Sequence, residues 1–149
     1  MNINERVERE LIRHDLDLVR YQNGQIKDAL STVSNLQIEI IAEIKRAEPR
    51  SKRELELLLG TVDEAIDRTY AAMAIESIES LAEFAVAESQ AVSTISSKVF
   101  RAPIAPKILP KSVALEIVET TLAPNDALGT TIRDRWGRQR DGTKGNIRD

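Results

Sequence analysis

Apolar residues recur at helical spacing along two long stretches in the first hundred residues of the chain. Residues 4–47 contain no proline and a single glycine, and their apolar positions return every three or four residues. The clearest stripe comprises Ile26, Leu30, Val33, Ile40, Ile41, Ile44 and Ala47. After Pro49 the pattern restarts, and residues 51–97 again contain no proline. The pattern therefore predicts two long helices, over residues 4–47 and 51–97.

The break between the two predicted helices is short, which favours packing of one helix against the other. Ser51 and Glu54 have the spacing of a capping box, in which each side chain accepts a backbone N–H of the other residue. The apolar residues keep the same helical spacing before and after Gly60. We therefore expect the second helix to be continuous despite this interior glycine. Each helix would span roughly 65–70 Å at about 1.5 Å per residue. We predict an all-α fold built on a long antiparallel helical hairpin over residues 1–98, which favours a structural or adaptor protein.

The hairpin would bring some apolar residues together at its turn and leave others unburied. Near the turn we expect isoleucines to face leucines, namely Ile40, Ile41 and Ile44 against Leu55, Leu58 and Leu59. A second set exceeds what one hairpin hides, namely Leu36, Ile38, Ile75, Ile78, Leu81 and Phe84. We expect this second set to meet a third helix or a partner subunit.

A proline-rich segment follows the hairpin, over residues 99–111. Pro103, Pro106 and Pro110 exclude a regular helix there. Because the segment also carries isoleucine and leucine, we predict an extended arm that docks its side chains, not a free tether. The candidate partner-binding residues are Arg101, Ile104, Lys107, Ile108, Leu109 and Lys111, together with Trp136 further along the chain.

Residues 112–149 predict short helices and a basic tail. Ser112 can cap a helix over residues 113–122, which Pro124 stops. Beyond it, three glycines are expected to weaken any helix, namely Gly137, Gly142 and Gly145. The candidate nucleic-acid contacts are the basic residues of this tail, namely Arg133, Arg135, Arg138, Arg140, Lys144 and Arg148.

Charge divides the chain into two parts of opposite sign. Residues 1–97 hold 11 basic and 18 acidic residues, net −7, whereas residues 98–149 hold 10 basic and 6 acidic, net +4. One interpretation is a solvated acidic face with a soluble tail. Another is a bipolar adaptor whose two ends meet surfaces of opposite sign. A third is nucleic-acid binding by the basic tail, although Asp134, Asp141 and Asp149 dilute its charge.

The residues that most enzymes rely on are scarce in this sequence. There is no cysteine, and His14 is the one histidine, so a metal site or a nucleophilic triad would need ligands from another chain. No phosphate-binding or dinucleotide fingerprint occurs. The longest stretch without a charged residue, 29–38, has ten residues, against about 20 for a membrane helix. We predict no catalytic, cofactor-binding or metal residue, no enzymatic activity, no cofactor and no membrane segment in this chain.

Three segments resemble a known family. The run from Ile12 to Gly24 reads IRHDLDLVRYQNG, and the run from Leu128 to Trp136 reads LGTTIRDRW. Between them, the second helix carries Leu58, Val62, Asp63, Ile66 and Tyr70, followed by a glutamate-rich stretch. Together these segments resemble the head morphogenesis proteins of tailed phages, the Mu F-like minor head proteins, in their N-terminal helical part.

The resemblance implies a structural minor capsid protein, present in a few copies and bound to the portal ring inside the head. It would be made in the host cytoplasm and would act in head assembly, genome packaging or ejection. Other copies of the chain are further candidate partners, and DNA contact through the basic tail is the alternative. A helical scaffold or ejection protein without portal docking is the closest competitor. Because family members are generally longer, residues 112–149 are expected to lead into a larger domain.

Overall fold

The computed structural model describes residues 2–102, 108–121 and 129–148. In these ranges the chain forms four helices and no strand: α1 (Ile3–Ala47), α2 (Lys52–Phe100), α3 (Lys111–Thr120) and α4 (Ile132–Arg148). The predicted all-α class is confirmed. Two predicted arm residues, Ile104 and Lys107, lie outside the described residues. Within the described ranges, no helix combines the length and the apolar character needed to cross a membrane.

Local signals determine where the two long helices begin and end. At the start of α2, the Glu54 backbone N–H donates to Ser51 Oγ over 3.2 Å, and the Ser51 N–H donates to Glu54 Oε2 over 3.1 Å. This confirms the predicted capping box. α1 ends before Glu48, whose positive φ of 34° leaves the helical region. α2 crosses Gly60 without a break and extends three residues beyond the predicted end, to Phe100.

The tail forms one helix through the three glycines that were expected to weaken it. α4 runs for 17 residues through Gly137, Gly142 and Gly145. A capping box starts it: the Thr131 N–H donates to Asp134 Oδ2 over 2.8 Å, and the Asp134 N–H donates to Thr131 Oγ1 over 3.3 Å. Each interior glycine costs about 1 kcal/mol, and the packing of α4 against α2 offsets that cost.

The chain divides into two compact units, of which unit 1 comprises Met1–Ile26 and Ile78–Thr120. Among the described residues of this unit, Ile78, Ala82, Val99 and Ala114 are buried. Side chains early in α1 contact residues late in α2. The Tyr21 and Phe84 rings stack with centroids 4.6 Å apart, and the Lys98 Nζ lies 3.1 Å from a carboxylate oxygen of Glu10.

Unit 2 comprises Lys27–Ser77 and Thr121–Asp149. Its core consists of Leu36, Leu58, Val62, Ala65, Ile66 and Tyr70, with Ile40, Trp136 and Ile147 packed against it. α4 therefore contributes two side chains to this core. The expected isoleucine–leucine contact near the turn is only partly right: Ile40 and Leu58 join the core, while Ile41, Ile44 and Leu55 are 44%, 46% and 46% exposed.

Candidate functional site

The basic residues of α4 face carboxylates of α2 within unit 2. The Lys144 Nζ lies 2.7 Å from Asp67, the Arg140 Nε lies 3.6 Å from the same carboxylate, and Arg148 pairs with Asp63. The acids are four residues apart on one helix, and the bases repeat every four residues on the other. These three of the six candidate nucleic-acid contacts are therefore ion-paired within the chain.

The remaining three candidates, Arg133, Arg135 and Arg138, are exposed on α4. Asp134 lies among them. The hydrogen bonds that its carboxylate accepts from the Thr131 backbone N–H and hydroxyl, with a smaller contribution from the charge of Arg138, lower its pKa. At neutral pH this carboxylate is negative, as an aspartate of ordinary pKa would also be. The exposed part of α4 is therefore less positive than its arginine count indicates.

Trp136 is held by its own unit. Its ring lies 6.1 Å from the Tyr70 ring between centroids, at an interplanar angle of 57°, and its Nε1–H donates to Ser77 Oγ over 3.1 Å. The Tyr70 hydroxyl in turn bonds Thr143 Oγ1 of α4 at 2.8 Å. Trp136 was predicted to anchor a partner. The structure shows it joining α4 to α2, and the contact with a partner stays a prediction.

An open cleft of about 210 Å³ lies beside Trp136. Its lining combines apolar and cationic groups, chiefly Tyr70, Ala74, Ile75, Arg133, Trp136 and Arg140. Carboxylates, imidazoles and thiols do not occur among the described residues that line it. Groups of three or more His, Cys, Asp or Glu suited to a metal ion are also absent from the described residues. The cleft therefore offers hydrogen-bond donors and an apolar wall, and no pair of groups for acid–base chemistry.

Leu109, just before α3, and Lys111, the first residue of α3, both contact α2 within unit 1. The Leu109 N–H donates to Ser89 Oγ over 3.2 Å, and the Lys111 Nζ lies 2.7 Å from Glu83. The hydrogen bond to Glu83 and the negative charge of that carboxylate raise the pKa of Lys111, with a smaller contribution from the charge of Glu79. Arg101, just after α2, is exposed and has a positive φ of 53°.

Large apolar side chains remain exposed next to these anchors. Ile108 is 49% exposed, and Val113 and Ile117, one turn apart on α3, are 40% and 49% exposed. Ala114 of the same helix is fully buried. α3 therefore packs on unit 1 through Ala114 while it presents larger apolar groups to solvent. We call Ile108, Val113 and Ile117 the arm surface.

Sequence reasoning did not identify two sets of residues that the structure brings together. Asp63 and Asp67 were not predicted as partners of the basic tail, although their four-residue spacing matches that of Lys144 and Arg148. His14 was noted only as the one histidine of the chain; its Nε2 lies 2.9 Å from Glu88, and its side chain is 20% exposed. The matching four-residue spacing of the charges could have indicated the pairing of the aspartates with the tail. The sequence carries no signal that pairs His14 with Glu88.

Comparison of the chain with protein-family models, with curated proteins and with solved structures finds no match. The resemblance to minor head proteins therefore stays a prediction from the sequence.

Proposed function

We propose that this chain is a structural, non-enzymatic minor capsid protein of a tailed phage. In this proposal its two long helices form an antiparallel hairpin, and it binds the portal inside the head during assembly, packaging or ejection. The sequence segments that resemble minor head proteins support the assignment, as do four helices within the described residues. Portal binding is assigned to the arm surface.

The observation that carries the proposal is an anchored backbone that holds exposed apolar side chains. Leu109 and Lys111 both contact side chains of α2, while Ile108 and Ile117 are each 49% exposed near them in sequence. A segment that is already ordered loses less conformational entropy when it binds. Apolar side chains on such a segment suit a protein groove better than a phosphate backbone, which is recognised by cations.

The arrangement of α4 makes nucleic-acid binding the second candidate. To bind Lys144 or Arg148, a phosphate would have to displace Asp67 or Asp63. Each of these two contacts would therefore break an existing ion pair. The exposed arginines, Arg133, Arg135 and Arg138, are the observation that keeps this candidate. Binding through them would weaken steeply as salt concentration rises, because counterions are released at each phosphate contact.

The test is co-purification of the full chain with the portal protein of the phage that encodes it. The double substitution Ile108→Asp and Ile117→Asp should abolish capture, because it places charges where the proposal expects apolar burial. Val92→Asp is the matched control, since Val92 is 60% exposed on α2 and lies outside the arm surface. Capture that survives the double substitution contradicts the assignment of the arm surface.

Two further outcomes separate the alternatives. Failure of the unmodified chain to bind the portal would favour the scaffold or ejection protein without portal docking. Salt-sensitive retention on duplex DNA that is lost on charge reversal at Arg133, Arg135 and Arg138 would favour the nucleic-acid hypothesis.

A further inference from the structure

α1 has a second apolar face in unit 1, separate from the face that contacts α2. Ile12, Leu16, Val19 and Ile26 are 55%, 54%, 52% and 59% exposed. They follow one another at spacings of four, three and seven residues, the spacing of a heptad repeat. In the usual letters for the seven positions, Leu16 occupies a, and the three β-branched residues occupy d. We call these four residues the α1 stripe.

The other side of α1 is used within unit 1. Tyr21 bonds Ser80, and His14 bonds Glu88, so this side is held against α2. The α1 stripe remains exposed in unit 1. Four aliphatic side chains, each more than half exposed and aligned on one helix, are typical of an interaction surface.

The charges that flank the α1 stripe identify what fits it. The g positions beside the stripe are acidic, Glu8 and Asp15, and the e positions are basic, Arg13 and Arg20. In a parallel coiled coil, each g residue lies beside the e residue five positions later on the neighbouring helix. A second copy would therefore face Glu8 with Arg13 and Asp15 with Arg20.

An antiparallel arrangement would have the opposite effect. It would place g beside g and e beside e, so acids would face acids and arginines would face arginines. In the structure Arg13 and Arg20 pair with Glu10 and Asp17 of their own helix, at 3.7 and 3.0 Å. The Arg13 and Arg20 side chains are 63% and 77% exposed, so these pairs contribute little and the arginines can exchange them for contacts with a neighbouring helix.

We propose that α1 of this chain binds α1 of further copies as a parallel, in-register coiled coil through the α1 stripe. The a positions on either side of Leu16 are polar, Arg9 and Asn23, and polar a residues specify the register at a cost in stability. The heptad continues in the sequence to Leu30 at a and Val33 at d. Leucine at a with β-branched residues at d favours three or four helices over two. The proposal does not depend on the assignment to a phage head.

Sedimentation velocity of the full chain tests the contact. The unmodified chain should sediment as an oligomer, and Leu16→Glu with Val19→Glu should weaken association by more than about tenfold, because unpaired charges would enter the interface. Leu11→Glu is the matched control: Leu11 is 48% exposed but occupies a c position outside the stripe. Circular dichroism should show the same helicity for all three chains. A monomeric unmodified chain, or equal losses in both variants, overturns the proposal.

Charge exchange tests the orientation. Arg20→Asp should weaken association, because Asp15 of one copy would then face an aspartate on the next. Adding Asp15→Arg to the same chain should restore association, because the facing pair is again of opposite charge. If the double variant associates no more tightly than Arg20→Asp alone, the parallel arrangement is contradicted.

Cross-linking tests the register independently. The chain contains no cysteine, so Val19→Cys creates a single thiol at a d position. Under mild oxidation it should form a covalent dimer, because equivalent d residues meet in a parallel, in-register coiled coil. Asp17→Cys, on the same helix at a b position, should remain uncross-linked. Equal cross-linking of the two variants, or cross-linking of Asp17→Cys alone, overturns the in-register contact.

Discussion

The ammonium of Lys144 lies 2.7 Å from the carboxylate of Asp67, although 77 residues separate them in sequence. The Lys144 side chain is 22% exposed and that of Asp67 is 47% exposed. One turn along each helix, in opposite directions, Arg148 pairs with Asp63. α2 and α4 are therefore antiparallel within unit 2, and their charges match turn by turn.

Lys144→Gln should lower the free energy of unfolding by up to about 1 kcal/mol, because the pair with Asp67 is partly exposed and screened. Urea denaturation followed by circular dichroism measures the change. The difference from the unmodified chain should shrink in high salt. Lys52→Gln is the control, since the Lys52 side chain is 90% exposed and lies 3.9 Å from Glu56. An equal loss of stability in the control would mean that Lys144 does not stabilise the docking of α4.

Trp136→Ala should destabilise unit 2 by about 3 kcal/mol, the low end of the range for removing a large aromatic, because the ring is only partly buried. Trp136→Phe should cost less, since it keeps an aromatic ring near Tyr70 and loses the hydrogen bond to Ser77. Denaturation curves for the two variants provide the comparison. Identical curves for alanine and phenylalanine would show that the ring contact contributes nothing.

Two glycine substitutions should change stability in opposite directions. Gly142→Ala should stabilise α4 by about 0.5–1 kcal/mol, because a Cβ there meets no atom within 4 Å and alanine favours the helix. Gly129→Ala should destabilise, because Gly129 has a φ of 56°, which alanine adopts at a cost. Thermal denaturation of both variants gives the direction of each change in melting temperature. A change in the same direction for both would contradict a helical backbone at Gly142 and a left-handed one at Gly129.

The start of α4 should depend on pH through Asp134. Hydrogen bonds from the Thr131 backbone and hydroxyl lower the pKa of this carboxylate below its ordinary value of 3.8. Its contribution to stability should therefore be complete above pH 3.8 and be lost as the pH falls through the lower pKa of the folded chain. Helicity measured against pH should decrease less on acidification in Asp134→Asn than in the unmodified chain.

Thr131 provides the matched test of that mechanism. Thr131→Ser keeps the hydroxyl and should preserve the acid dependence, whereas Thr131→Val removes the hydroxyl and should reduce it. If serine and valine behave alike at position 131, the hydroxyl does not contribute to the shift at Asp134.

Local sequence was sufficient for the long helices because their signals act within a few residues. The capping box at Ser51 and Glu54 and the unbroken phase across Gly60 are both present in the structure. The same periodicity was less informative about burial. Ile78 is 2% exposed, whereas Ile38 is 64% exposed, although both were expected to be surplus apolar surface. A wide apolar stripe does not specify which of its residues a neighbouring helix covers.

The all-α class, the two long helices and the start of α2 follow from local sequence, because propensity, periodicity and capping are properties of short windows. The single helix of the glycine-containing tail depends instead on the folded structure, since its stability comes from contacts with α2. Trp136 meets Tyr70, and Lys144 meets Asp67, across more than 60 residues of chain. Such contacts form only when distant segments fold together, so no short window encodes them.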